Sequence, residues 1–303
     1  MEFKRIGKED RPVIQKYLTP LKIENADYCF TTLYLWGRHG KIRYAEEDGA
    51  LYLLYHFPEQ EPFFSCPVPI DFSSPYAPLV KKAFSYLKEL GVKRPSIHTV
   101  TPPFAERIKE ECPELIFSRT RYADDYIYDK ESLLTLRGNK LHAKRNHINR
   151  FLQEYDGRWE YIPINSSMLN ECMSLYDEWQ EHKDLDELEE LYEFDEKLTV
   201  ELAIKRMDEF CLKGGAILID GVLSAFTIGE KVTDDMMTVH IEKANTEING
   251  LYPLINREFV AHECGFAKYI NREDDMGKEG LRKAKLSYYP VRMIEKYKVT
   301  EAE

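Results

Sequence analysis

Two side chains with acid–base chemistry, His240 and Glu242, alternate with the apolar Val239 and Ile241 in and just after the stretch Met236–Ile241. A period of two reads as a strand and puts both on one face. Either can take a proton from an attacking amine, a step worth ~10²–10⁴-fold in rate. A strand histidine that only makes hydrogen bonds is an equal alternative. A second group, Asn271-Arg272-Glu273-Asp274-Asp275, follows the extended stretch Ala267–Ile270, and strand ends are where open α/β sheets place ligands. Arg272 there can grip a carboxylate or phosphate, and Glu273 or Asp274 can receive the ammonium of an amino-acid substrate. The plainer alternative gives Asp275 to the cap of the next helix and Arg272 to a surface ion pair.

A third concentration is basic: Arg137, Lys140, His142, Lys144, Arg145, His147 and Arg150, in a chain of net charge −11. Clustered cations of this kind can hold a polyphosphate such as a tRNA acceptor end. Equally, they can form a solvated helix face paired with the acidic segment Glu181–Glu196. Metal chemistry is not indicated. His262-Glu263-Cys264 lacks ligand spacing, and the six cysteines contain no Cys-x-x-Cys pair, which fits reduced thiols in a cytosol.

The elements that must carry these residues can be read from patterning. At 303 residues the chain is long enough for two cores, and 43% hydrophobic with 31% charged residues excludes extensive disorder. No apolar run approaches the ~20 residues of a membrane-spanning helix, and the start lacks a signal-peptide pattern, so a cytoplasmic protein is expected. The net negative charge opposes indiscriminate nucleic-acid or anionic-membrane binding.

In the first half, Ile42–Tyr44 and Leu51–Tyr55 flank Glu46-Glu47-Asp48-Gly49, a hairpin signal. A helix over Pro78–Leu90 ends at Gly91, and a strand (Ser96–Val100), a helix (Phe104–Cys112) and an extended stretch (Ile116–Tyr128) follow. The second half adds helices at Met168–Glu181 and Phe194–Leu212 and then repeats the order. It has a hairpin around Asp220-Gly221, a strand over Met236–Ile241, a helix over Leu251–Cys264, the strand Ala267–Ile270, a helix near Lys278–Leu286 and an extended stretch to Val299. The expectation is an α/β (α+β) chain of two domains in tandem, 1–135 and 136–303, each a mixed sheet flanked by helices. This element order resembles the acetyltransferase (GNAT) superfamily.

Three segments carry a closer resemblance. One runs from Asp125-Tyr126-Ile127-Tyr128-Asp129 through Leu136-Arg137-Gly138-Asn139-Lys140 to Lys144-Arg145-Asn146-His147. The second is Thr238–Phe259. The third is Gly280-Leu281-Arg282-Lys283-Ala284-Lys285 with Tyr288 and Pro290. From Asp125 onward the chain resembles the C-terminal domain family of the phosphatidylglycerol lysyltransferases, with Ser287 where the family signature usually has a second lysine. The resemblance implies transfer of an activated carboxyl group, from aminoacyl-tRNA or acyl-CoA as co-substrate, to an amine or hydroxyl on a small-molecule, peptide or lipid acceptor. No tightly bound cofactor is implied.

Under that resemblance Lys285 falls at an active-site lysine, and Lys285 and Arg145 would neutralise donor phosphate or developing charge. Arg272 and Glu273 would orient substrate, His240 or Glu242 would take the acceptor proton, and Tyr288 or Tyr289 would give one to the leaving group. Lys144, Asn146, Asp274 and Arg282 complete the expected binding set, together with Asn249 and Gly250 in Glu247-Ile248-Asn249-Gly250-Leu251-Tyr252, the counterpart of the superfamily's coenzyme A loop. That stretch keeps one glycine and reads equally as an ordinary turn. Neither the membrane-spanning half that accompanies the domain in the lysyltransferases nor a lipid-facing helix is found in the sequence. The rival expectation is a tandem module that binds a nucleotide or protein without turnover.

Overall fold

A computed structural model describes residues 1–38, 41–57, 60–181 and 187–302, and for 187–195 the backbone alone. The acidic run Asp177–Glu196 reads from the sequence as a solvated helix–loop–helix face; residues 182–186 and the side chains of 187–195 lie outside the described residues. No described helix is long and apolar enough to cross a membrane.

Asp48 and Gly49 both take positive φ, 51° and 70°, which a two-residue type I′ hairpin turn requires. They join β2 (Ile42–Glu47) to β3 (Ala50–Tyr55); β1 (Lys4–Arg5) lies on the far side of β2. β4 (Phe63–Ser65) and β5 (Val68–Pro69) both pair with β3. β6 (Ser96–Val100) runs parallel to β4, and β7 (Ile116–Arg119) lies further along the same sheet. Helices α1 (Arg11–Leu18), α2 (Phe30–Trp36), α3 (Ala77–Glu89) and α4 (Pro102–Glu111) accompany these strands, and α3 buries Leu79, Val80, Ala83, Phe84 and Leu87, the stripe expected from the spacing. Gly91 at φ 81° stops it.

The stretch Ile116–Tyr128, expected as one extended segment, is two strands in different sheets. A 3₁₀ turn at Arg121–Ala123 separates β7 from β8 (Asp125–Asp129). β8 is followed by helices α5 (Lys130–Thr135) and α6 (His142–Glu154), the latter bearing the basic residues, and by β9 (Trp159–Pro163). The helix expected over Met168–Glu181 is α7 (Leu169–Glu181), and that expected over Phe194–Leu212 is α8 (Glu187–Lys205) followed by the short α9 (Met207–Phe210). A second type I′ hairpin at Asp220 and Gly221, φ 51° and 80°, joins β10 (Lys213–Ile219) to β11 (Val222–Lys231). Next come β12 (Met236–Ala244), helix α10 (Leu251–Glu263), β13 (Tyr269–Asn271), helix α11 (Glu279–Leu286), β14 (Arg292–Ile294) and β15 (Tyr297–Thr300). The second sheet has the order β14-β8-β13-β12-β11-β10-β9.

The chain is mixed α/β, with two mixed sheets flanked by helices. It divides into two compact units, but not by one cut at 135/136. Unit 1 is Met1–Asp125 with Asp274–Glu279 and Met293–Glu303, and unit 2 is Tyr126–Glu273 with Gly280–Arg292. Long-range strand pairing is the reason. The last strand, β15, pairs with β6 on one side and β7 on the other, so the C-terminus completes the first sheet, whereas β8 joins β13 in the second.

Candidate active site in the second unit

β12 and β13 run parallel for three rungs, Met236↔Tyr269, Met237↔Ile270 and Thr238↔Asn271. β13 ends there while β12 continues to Ala244, so the two strands part and leave a gap in the sheet. On the opposite edge of β12 the register with β11 skips His240, since Ile241 faces Ile228 and Val239 faces Gly229. This is a bulge, a device that re-aims a side chain. Gly229 is needed opposite it because a Cβ would stand 2.4 Å from the Thr238 carbonyl oxygen.

The side chains at the gap are paired with care. His240 Nδ1 lies 2.7 Å from Glu273 Oε1 and Nε2 lies 3.0 Å from Glu230 Oε1. Burial by itself would lower the imidazole's pKa, but the two carboxylates outweigh it and raise the value to about 10. His240 is therefore an imidazolium at neutral pH that donates through both nitrogens. The expectation that it acts as a base does not suit this geometry, because it has no free lone pair. Glu242 accepts from Arg272 Nη2 at 2.7 Å and from Asn256 Nδ2 at 3.1 Å, so both its oxygens are engaged as well.

Arg272 is fixed at every level. Its N–H donates to the Tyr126 carbonyl at 3.0 Å, its own carbonyl accepts from Lys285 Nζ, and its guanidinium packs over the Tyr288 ring at 4.8 Å. Burial opposes its charge, yet Glu242 and the neighbouring tyrosines hold it on. Its other arm, Nη1, is buried without a hydrogen-bond partner among the described residues. Lys144 reaches the same ring from α6, with Nζ 4.2 Å from the Tyr288 centroid. Burial and then the positive charge of Arg272 push the Lys144 pKa down. Burial pushes the Tyr288 phenol up to about 12.

Glu273 follows at φ 57°, its N–H bonded to Asn271 Oδ1 at 2.7 Å. The left-handed turn carries the chain away from the sheet and leaves the carboxylate about one-third exposed. The equivalent parallel pair of unit 1, β4 with β6, is closed differently. The Tyr28 hydroxyl donates to the Cys66 carbonyl at 3.0 Å and lies 3.4 Å from Thr99 Oγ1. A buried neutral ring thus plugs that gap, while charged groups line the one in unit 2.

The family described as phosphatidylglycerol lysyltransferase, C-terminal, matches residues 19–300. The chain belongs to that family. Among solved structures it is similar to a conserved protein of unknown function from Bacteroides thetaiotaomicron, at 33% identity over 100% of both chains and a TM-score of 0.89. L-PGS from Bacillus licheniformis is 15% identical over 89% of this chain and 87% of that one, with a TM-score of 0.60. A tandem GNAT protein of the clavulanic acid biosynthesis pathway is 10% identical over 100% of this chain and 99% of that one, with a TM-score of 0.51. These two likenesses show the fold, a tandem GNAT arrangement. An uncharacterised protein of Mycoplasmoides gallisepticum is 27% identical over 58% of this chain, and the match spans 55% of that protein's own length.

The family signature on α11 does not present its lysine to solvent. Lys285 is buried and holds the Arg272 carbonyl, which makes it a positioning group as found. Arg282 is half-buried on the same helix. The Ser287 hydroxyl donates back to the Ala284 carbonyl. Other expected binding residues are also spent on structure. Arg145 Nη1 donates to the Leu136 and Gly138 carbonyls, Asn146 Nδ2 lies 3.3 Å from His142 Nδ1, and Asn249 Oδ1 lies 2.8 Å from His147 Nδ1.

Asp274 accepts the Met276 N–H at 3.0 Å and falls in unit 1. Gly250, φ 87°, has the His147 carbonyl oxygen 2.4 Å from where a Cβ would stand. Gly250→Ala is therefore expected to lower stability by about 1–3 kcal/mol through strain and collision with α6, read as a lower urea midpoint at unchanged slope.

Glu230, Asn256 and Tyr128 complete the cluster and were not singled out from the sequence. Glu230 left one signal, an acid within a strand that is otherwise buried from Leu223 to Gly229.

Proposed function

We propose that the second unit is an acyltransferase that moves an activated carboxyl group from an ester or thioester donor to an amine or hydroxyl acceptor. The observation that carries this reading is the charged cluster at the parting of β12 and β13, with Glu273 partly exposed and held by the His240 imidazolium. Glu273 is placed to receive the ammonium or the proton of the attacking group. Arg272 Nη1, a donor that no hydrogen-bond acceptor among the described residues takes up, is suited to the carbonyl oxygen as it gains charge. Attack forms the new bond to the carbonyl carbon, the donor's oxygen or sulfur leaves with the bonding pair, and no enzyme-bound intermediate is required.

Aminoacyl-tRNA is favoured over acyl-CoA as donor. The turn into α10 has one glycine, pressed against the α6 backbone, where close approach of a pyrophosphate would need open backbone N–H groups. Lys144 and Arg272 would then take up substrate charge.

The test is transfer of a labelled aminoacyl group from a panel of charged tRNAs, with acetyl-CoA in parallel. Arg272→Ala and Glu273→Gln should each lower the rate by about 10²-fold. Full rates in both variants would move the site elsewhere. A donor held at ~100 times its dissociation constant should also raise stability by about 2.7 kcal/mol. Absence of any shift with any donor would favour the non-catalytic binding module.

A further inference from the structure

Two buried lysines of unit 2 have oxygen partners. Lys243 Nζ meets Glu196 Oε1 at 2.8 Å, and Lys285 Nζ donates to the Arg272 carbonyl. Lys144 is arranged differently. It is half-buried, yet among the described residues its Nζ makes no hydrogen bond and no ion pair. It rests over the Tyr288 ring instead, 4.2 Å from the centroid.

Three features of this place oppose the ammonium form. Burial strips water from it, and the Arg272 guanidinium, 4.8 Å from the centroid of the same ring, repels it. Glu242 offsets these only in part, since its two oxygens are already engaged by Arg272 and Asn256. Lys144 also stands in the first turn of α6, a 13-residue helix with no acid in that turn. Side chains there lean toward the helix start, where the partial charge is positive. An amine so held keeps a larger neutral fraction than a lysine in water, and a neutral amine beside a cation in a desolvated pocket is a nucleophile.

We infer that Lys144 is itself an acyl acceptor: an ester or thioester donor at the parting of β12 and β13 acylates its Nζ when no other acceptor is present. The Nζ lone pair forms a bond to the carbonyl carbon and the carbon–oxygen or carbon–sulfur bond breaks. The leaving oxygen or sulfur takes the bonding pair and the proton that the nitrogen gives up. The product is an uncharged amide, which water cleaves slowly. Its two roles belong to two protonation states, the ammonium meeting substrate charge and the amine attacking. The acylated chain lacks that ammonium, so the step is a brake on transfer and not an intermediate in it. The inference rests on the proposed transfer for its donor class alone.

The experiment is limited acetylation of the full chain with para-nitrophenyl acetate, an ester small enough to reach Nζ without a donor site, followed by peptide mass mapping. Lys144 should be acetylated about five- to tenfold faster than the exposed Lys213 and Lys231. Arg272→Gln should slow the reaction at Lys144 by returning it to the ammonium form, and Glu242→Gln should quicken it. Circular dichroism melts of both variants separate a change in reactivity from loss of fold.

Labelling that follows exposure alone, or that is indifferent to both substitutions, overturns the inference. Lys144 acetylated in a chain that passes no acyl group to any acceptor sustains it and removes the proposed transfer. Transfer to an acceptor with Lys144 unlabelled does the reverse.

Discussion

Lys296→Ala should destabilise the protein by about 3–5 kcal/mol, the largest single loss expected from any one side chain. Lys296 is buried in unit 1, with Nζ 2.6 Å from Asp125 Oδ1 and 2.5 Å from Asp27 Oδ2. Burial disfavours its charge, but the two carboxylates hold it on and raise its pKa. Asp125 in turn accepts the Ala26 N–H at 2.9 Å, so it cannot swing out to water without giving up a second bond. Removing the ammonium strands carboxylate charge in an interior that cannot solvate it. Lys296→Met should do much the same, since shape is not the difficulty. Adding Asp125→Asn to Lys296→Met should recover part of the loss, because removing both members of a buried pair costs less than removing one. Urea unfolding of the three variants checks this; equal stability of Lys296→Ala and the parent would mean the charges are paired in some other way.

The second large effect is a dependence on pH. His240 has a folded-state pKa of about 10 against 6.5 for the free side chain, because Glu230 and Glu273 outweigh burial. A cationic group with a raised folded value stabilises fully below its unfolded pKa and loses that contribution as pH climbs to the folded one. Stability owed to His240 should therefore be complete near pH 6.5 and fade across pH 7 to 10. His240→Gln should cost about 2–4 kcal/mol at pH 7 and much less at pH 10, since it leaves Glu230 and Glu273 facing one another uncompensated. Taking the difference between parent and variant cancels thiols and other groups that titrate in the same window. Parallel stability curves for the two proteins from pH 7 to 10 would show that the imidazole is neutral in the fold.

Local structure was legible where one residue type is nearly obligatory. Asp48-Gly49 and Asp220-Gly221 announce their hairpins because few other pairs accept two positive φ values. Gly91 marks the end of α3 for the same reason. The alternation around His240 reads that residue and Glu242 as sharing one face, but a bulge skips His240, so that Val239 and Ile241 pair with the adjacent Gly229 and Ile228 and the alternation breaks there; the bulge depends on how β11 lies against β12, and no local pattern encodes it. Chemical state was harder still. Reading His240 as a base followed from its place in the strand alternation, and only the meeting of Glu230, ten residues upstream, with Glu273, thirty-three downstream, turns it into a cation. Arg145 likewise looked free until folding put the end of α5 within its reach. Topology was the least legible layer, since the extended stretch near Val299 carries no mark of which sheet it will join.

That last strand bears on how the protein is made. On the ribosome the residues of β6 and β7 emerge long before those of β15, which belongs between them. During translation the first sheet must wait, with two unpaired strand edges, until Tyr297–Thr300 has been synthesised. Such edges invite pairing with other chains, and contacts so distant in sequence form slowly. The half that is translated first is thus the half whose folding is finished last, and a fragment cut near residue 135 should aggregate rather than fold.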